Sequence, residues 1–146
     1  MRYLVTTLWT ISEITFHCPV LELTRCQPYL VQLTGSVLVD RLNQKLRQFP
    51  DETELPIATR QDVEAAIPKI LEAGGLYFRE LWKVTLSSPE REAVECILRG
   101  EPPKNASTQI LRKLVQKEVI ELGEDGIYRL QVPLVERALR QFVADA

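Results

Sequence analysis

A single histidine limits the chemistry open to this chain. His17 is the only one among 146 residues, and Cys18 and Cys26 are the two thiols near it that could complete a zinc triad. Such sites carry a paired spacing, CxxC or HxxxH, that holds two ligands on one turn. Neither spacing occurs here. A Ser–His or Cys–His nucleophile would need the same histidine, and no nucleophile motif surrounds it. Neither a metal centre nor a catalytic residue is therefore expected. Asp51, Glu52 and Glu54 could in principle hold a divalent cation, but without EF-hand spacing they read as a solvated loop. Gly74-Gly75 is no phosphate cradle, and GxxxxGK[ST] occurs nowhere in the chain. Without that loop the chain is expected not to hydrolyse a nucleotide by itself and not to be a stand-alone enzyme.

The remaining candidates are basic and polar. Gln109, Arg112, Lys113, Gln116 and Lys117 fall on the polar side of one helix, with Lys104 just before it. In a DNA-binding winged helix this face would enter the major groove. Charge argues against that use. Residues 88–146 hold nine Lys+Arg against ten Asp+Glu, a net of −1, and the hairpin tip Glu124-Asp125 is acidic where a wing would meet phosphate. Phosphate neutralisation supplies most non-specific affinity for nucleic acid, so a solvated helix face is the expected reading.

The segment that positions these side chains runs from Ala106 to Val132. Ile110, Leu111, Leu114 and Val115 repeat as one helical stripe. At Val119 the period changes. Val119–Leu122 and Ile127–Val132 are β-rich runs joined by Gly123-Glu-Asp-Gly126, a hairpin connection with glycine where φ must be positive. Ser87 or Ser88 caps a preceding helix that Gly100 stops, and Pro133 opens a following one with Leu134, Ala138, Leu139 and Phe142 inward. Helix, helix, ribbon, helix is the outline of a winged helix-turn-helix.

Upstream, residues 1–20 are β-branched and aromatic and suggest one or two strands. A helix begins at Gln27-Pro28, with Leu30, Leu33, Val37, Leu38, Leu42 and Leu46 as its apolar stripe. Gly35 and Ser36 interrupt it, and close approach of a second helix is the expected reason. After the Phe49–Ala58 loop, Thr59 and Asp62 form a variant capping box for a helix that Pro68 should kink or divide and Gly74-Gly75 should end. Leu76–Lys83 reads as a further short helix. Thr85–Pro89 is the expected boundary between a helical unit, 21–86, and a winged-helix unit, 87–146. The expected fold class is mainly α.

Composition agrees with a soluble globular protein: 45% hydrophobic, 26% charged, net charge −2. Three cysteines without a CxxC spacing fit a reducing compartment. The apolar run after Arg2 is short, meets Glu13 and has no cleavage site, so it is not read as a signal peptide. A cytoplasmic protein is expected.

Leu23-Thr-Arg-Cys-Gln-Pro-Tyr-Leu-Val-Gln32, followed by Leu38-Val-Asp-Arg-Leu-Asn43, resembles the lid of AAA-like P-loop ATPases of the STAND type. In that family a Thr-Gly-Gly-x-Pro-Tyr-Leu-x-Gln segment opens a lid helix whose proline lies against the nucleotide. Asp62-Val63 through Tyr77-Phe78-x-x-Leu81-Trp82 resembles the next lid helices. Ser88-Pro-Glu-Arg91 and Tyr128–Leu134 are similar to the winged helix that follows the ATPase module. The likeness implies a helical lid-type subdomain and a winged helix, covering roughly residues 21–146, with Gln27 and Pro28 as nucleotide contacts. ATP or ADP with Mg would be bound only when a P-loop core is joined to it. Arg25 and Cys26 stand where the family has paired glycines. The resemblance implies a non-catalytic regulatory and protein-interaction module whose partner is the ATPase core or another protein domain. The alternative is a DNA-binding transcriptional regulator using Lys104, Gln109, Arg112, Lys113, Gln116 and Lys117.

Overall fold

A computed structural model describes residues 18–50 and 58–144. The strands expected before residue 18, His17 and the acidic group Asp51, Glu52 and Glu54 lie outside the described residues. The protein is mainly helical. Short helix α1 (Pro19–Thr24) is followed by the long α2 (Pro28–Gln48), α3 (Arg60–Ala73) and α4 (Gly75–Glu80), which runs on into a π-helical turn, Leu81–Thr85. Then come α5 (Ser88–Leu98), α6 (Thr108–Gln116), the strands β1 (Ile120–Leu122) and β2 (Tyr128–Leu130), and α7 (Pro133–Ala144). Among the described residues no helix is long and apolar enough to cross a membrane.

Local sequence accounts for most of the helix starts. Pro28 is at the first turn of α2, where its missing N–H costs nothing. Thr59 accepts from the backbone N of Asp62 at 3.2 Å, and Asp62 accepts from the backbone N of Thr59 at 3.0 Å. This closes the capping box of α3. Asp62 is buried and also takes the Lys45 ammonium from α2, so the cap joins two helices. The Lys45 contact, then the Thr59 amide, hold its carboxyl well below the usual range. Ser87 and Glu90 make the matching box on α5.

Three expectations are corrected. Residues 18–20 do not continue a strand: Cys18 precedes α1, and Pro19 and Val20 belong to it. Pro68 does not divide its helix, because α3 is continuous from Arg60 to Ala73. Pro68 and Glu64 are both exposed, so the carbonyl deprived of its amide partner lies on the side facing water. Gly35 does not serve a close helix contact, since a Cβ built there meets nothing within 4 Å. The close approach is at Gly74. A Cβ on that residue would stand 2.7 Å from Leu33 Cδ2 of α2 and 2.8 Å from Phe78 Cε2 of α4.

The strands are shorter than the β-rich runs and form an antiparallel pair, with Ile120 opposite Leu130, Glu121 opposite Arg129 and Leu122 opposite Tyr128. The period of two puts Ile120 and Leu130 on the buried face. α2 lies along α3, while α1 packs against α2, α3 and α7. α5, α6, the ribbon and α7 pack on one another, and α4 also reaches α7. The buried side chains, from Leu30 and Ile70 through Phe78, Leu86 and Val94 to Leu114 and Leu139, form one cluster.

Candidate functional site

Two surfaces carry the residues singled out by sequence. The first is the turn between α1 and α2. Arg25 and Cys26 both have positive φ, 48° and 59°, a backbone that disfavours any side chain with a Cβ. Gln27 N returns to Thr24 O at 3.1 Å, and Gln27 occupies the N-cap position of α2 without a side-chain cap bond, with Pro28 exposed beside it. Tyr29 stacks on Tyr77 of α4 at a ring separation of 4.8 Å, and Tyr77 donates its hydroxyl to Gln27 Oε1 at 3.4 Å. Burial, and secondarily Tyr29, push the Tyr77 hydroxyl above its ordinary value. Arg25 reaches Glu121 of β1 at 3.3 Å and ties the turn to the ribbon. Cys26 is exposed, so Cys26→Gly relieves the left-handed backbone without opening a cavity. Allowing for the added freedom of the unfolded chain, we expect a stability gain of about 0.5–1 kcal/mol, read as a rise in the urea midpoint.

The second surface is α6. Ser107 caps it, accepting from the backbone N of Ile110 at 3.3 Å. Leu114 is buried, and Gln109, Arg112, Lys113 and Gln116 are exposed at the i, i+3, i+4, i+7 spacing of one outward stripe. The helix ends in a Schellman turn. Val119 N bonds Leu114 O and Glu118 N bonds Val115 O, each at 3.0 Å, with Glu118 at φ 57°.

Lys117 leaves this stripe. Its ammonium lies 2.8 Å from Glu90 Oε2 and donates to the carbonyl of Thr85, also at 2.8 Å. The Glu90 side chain is 3% exposed. Its other donors are the backbone N and Oγ of Ser87, at 2.7 and 2.9 Å. Burial alone would raise the Glu90 carboxyl, but Lys117 and Ser87 outweigh it and hold the group ionised below its ordinary range. Arg91 donates to the carbonyls of Trp82 and Lys83 at 3.3 and 3.4 Å. Two cations from the C-terminal helices thus cap the end of the π turn.

The hairpin tip is less negative than its sequence. Arg129 is ion-paired with Asp125, whose Oδ1 also accepts from Ile127 N at 3.1 Å. Glu121 is held by Arg25, which leaves Glu124 as the tip carboxylate with no partner among the described residues.

A cleft of about 170 Å³ lies between α1, α3 and the start of α7. Ion pairs line it, Arg60 with Glu22 at 2.9 Å and Arg137 with Glu64 at 2.8 Å. That is below the ~300 Å³ of an ordinary small-molecule site. Cys18 and Cys26 fall at opposite ends of α1, and among the described residues no group of three metal-ligating side chains converges. Comparison with family models, characterised proteins and solved structures finds no significant match.

Proposed function

We propose that this chain is a non-catalytic regulatory and protein-interaction module, a lid-type helical unit joined to a winged helix, which supports nucleotide-dependent switching when attached to a P-loop ATPase core. The observation that carries the reading is the Arg25-Cys26 turn. Where the lid that this segment resembles has paired glycines, the backbone here has positive φ at both residues, although neither is glycine. Arg25 and Cys26 thus adopt a backbone that glycine favours, and Gln27 and Pro28 open the following helix in the manner that the resemblance implies. The order of α5, α6, ribbon and α7 supports a winged helix in the second half.

The DNA-binding alternative loses one of its contacts, because Lys117 is held by Glu90 and the Thr85 carbonyl. The wing keeps an unpaired Glu124 where it would approach phosphate.

A lid proline is one wall of a nucleotide site, and the phosphates need a P-loop that the sequence lacks. Calorimetry of the isolated chain with ATP and with ADP, each with magnesium, is expected to show no binding at micromolar concentration. A tight, magnesium-dependent signal would overturn the proposal.

A further inference from the structure

Residues 88–144 contain nine cationic side chains, and the structure engages six of them. Arg91 caps the π turn, Lys117 holds Glu90, and Arg129 holds Asp125. Arg99 pairs with Glu95, Arg137 with Glu64, and Arg140 with Glu136. Of these nine, only Lys104, Arg112 and Lys113 have no hydrogen-bond or ion-pair partner for their side chains among the described residues. All three are exposed, and they share one region, α6 and the turn before it. Within the same helix Val115 is 42% exposed, three residues from Arg112, between the buried stripe and the outward one.

We infer that the outward side of α6 docks an acidic amphipathic protein segment, its carboxylates meeting Arg112 at the centre and Lys113 at one margin, and its apolar side chains covering Val115 at the other margin. The inference rests on the interaction-module reading and names the partner's chemistry. Charge complementarity carries it: a chain that pairs its other C-terminal cations internally leaves Arg112 and Lys113 on α6, and Lys104 in the turn before it, open to a partner. Nucleic acid fits the face less well. Three phosphate contacts give a small counterion-release term, Lys117 is withdrawn, and an apolar Val115 has no use against a phosphate backbone. For an acidic helix the same Val115 supplies a dry contact, while the cations fix orientation and speed encounter.

The test uses the full chain and three fluorescent probes: an 18-residue Glu/Leu amphipathic peptide, an all-polar Glu-rich peptide of equal charge, and a 20-base-pair DNA duplex. Anisotropy is read at 50 and 150 mM salt, on the native chain and on Arg112→Ser/Lys113→Ser. Both residues are exposed, so a thermal melt checks that the variant keeps the fold. The amphipathic peptide is expected to bind at least tenfold more tightly than either other probe at 150 mM salt. The double variant should lose about tenfold of that affinity, the effect of removing two partly screened ion pairs. Equal binding of the two peptides would reduce the face to a simple counterion surface and overturn the inference. Tighter binding of the duplex, lost in the variant, would overturn it in favour of nucleic acid, and an unaffected variant would overturn it too. Its failure leaves the nucleotide calorimetry untouched, so the two readings fall separately.

Discussion

Replacing Glu90 by alanine will cost the fold about 3–4 kcal/mol, one of the two largest single-residue effects expected here. Three donors lose their acceptor together: the Ser87 amide, the Ser87 hydroxyl and the Lys117 ammonium. The loss combines a helix cap with a buried ion pair, and Lys117 keeps only the Thr85 carbonyl. Lys117→Met should cost less, about 2 kcal/mol, because its side chain is 34% exposed and Ser87 still serves the Glu90 carboxylate. The two effects should be non-additive in a double-mutant cycle by urea melts, since both remove the same pair. Additive values would show that the pair contributes nothing.

The same group sets a pH dependence. Glu90 and Asp62 both have native pKa values below their ordinary 4.5 and 3.8. A depressed carboxyl binds fewer protons folded than unfolded, so its stabilisation is present above the ordinary value and is lost as pH falls. Stability should therefore decline from about pH 5 downward, and Glu90→Gln should flatten that decline while lowering stability at pH 7. A variant with the full native acid limb would contradict the assignment.

Gly74→Ala is the second large effect, with an expected cost of about 2–3 kcal/mol. The new methyl would have to displace Leu33 and Phe78, and Phe78 is 1% exposed within a close-packed core. Gly35→Ala should do the reverse. It sits within α2 with open space at its Cβ, so alanine gains helix propensity and stabilises by about 0.5–1 kcal/mol. The opposite signs, read as thermal midpoints, test whether α2 meets the α3–α4 turn at Gly74 and not at Gly35.

These glycines also show where sequence reading reaches its limit. What depends on near neighbours was legible: the capping box of α3, a serine cap on α5, the prolines opening α2 and α7, Gly100 at the end of α5, and the outward stripe of α6. Each is set by residues three or four positions apart. What depends on distant partners was not. Gly74 is constrained by Leu33, and Lys117 is drawn off its helix face by Glu90, 27 residues away. α1 was missed because a helix of six residues carries too few repeats to show a period. The C′ residue of α5 is Gly100, which announces its turn, whereas α6 makes the same turn with Glu118 and announces nothing.

The packing of α1 against α7 bears on how the protein comes to be folded. α1 contributes Leu23 to the core and α7 contributes Leu134 and Leu139, so the first described helix, though it also packs on α2 and α3, cannot bury its apolar face fully until the last is available. During synthesis α2, α3 and α4 can collapse on one another as they leave the ribosome, but α1 then waits, its side of the core still open to water. Closing that long loop is entropically costly and slow compared with forming a helical hairpin. Nascent chains stalled before Pro133 should thus expose a sticky apolar surface, of the kind that chaperones hold until synthesis is complete.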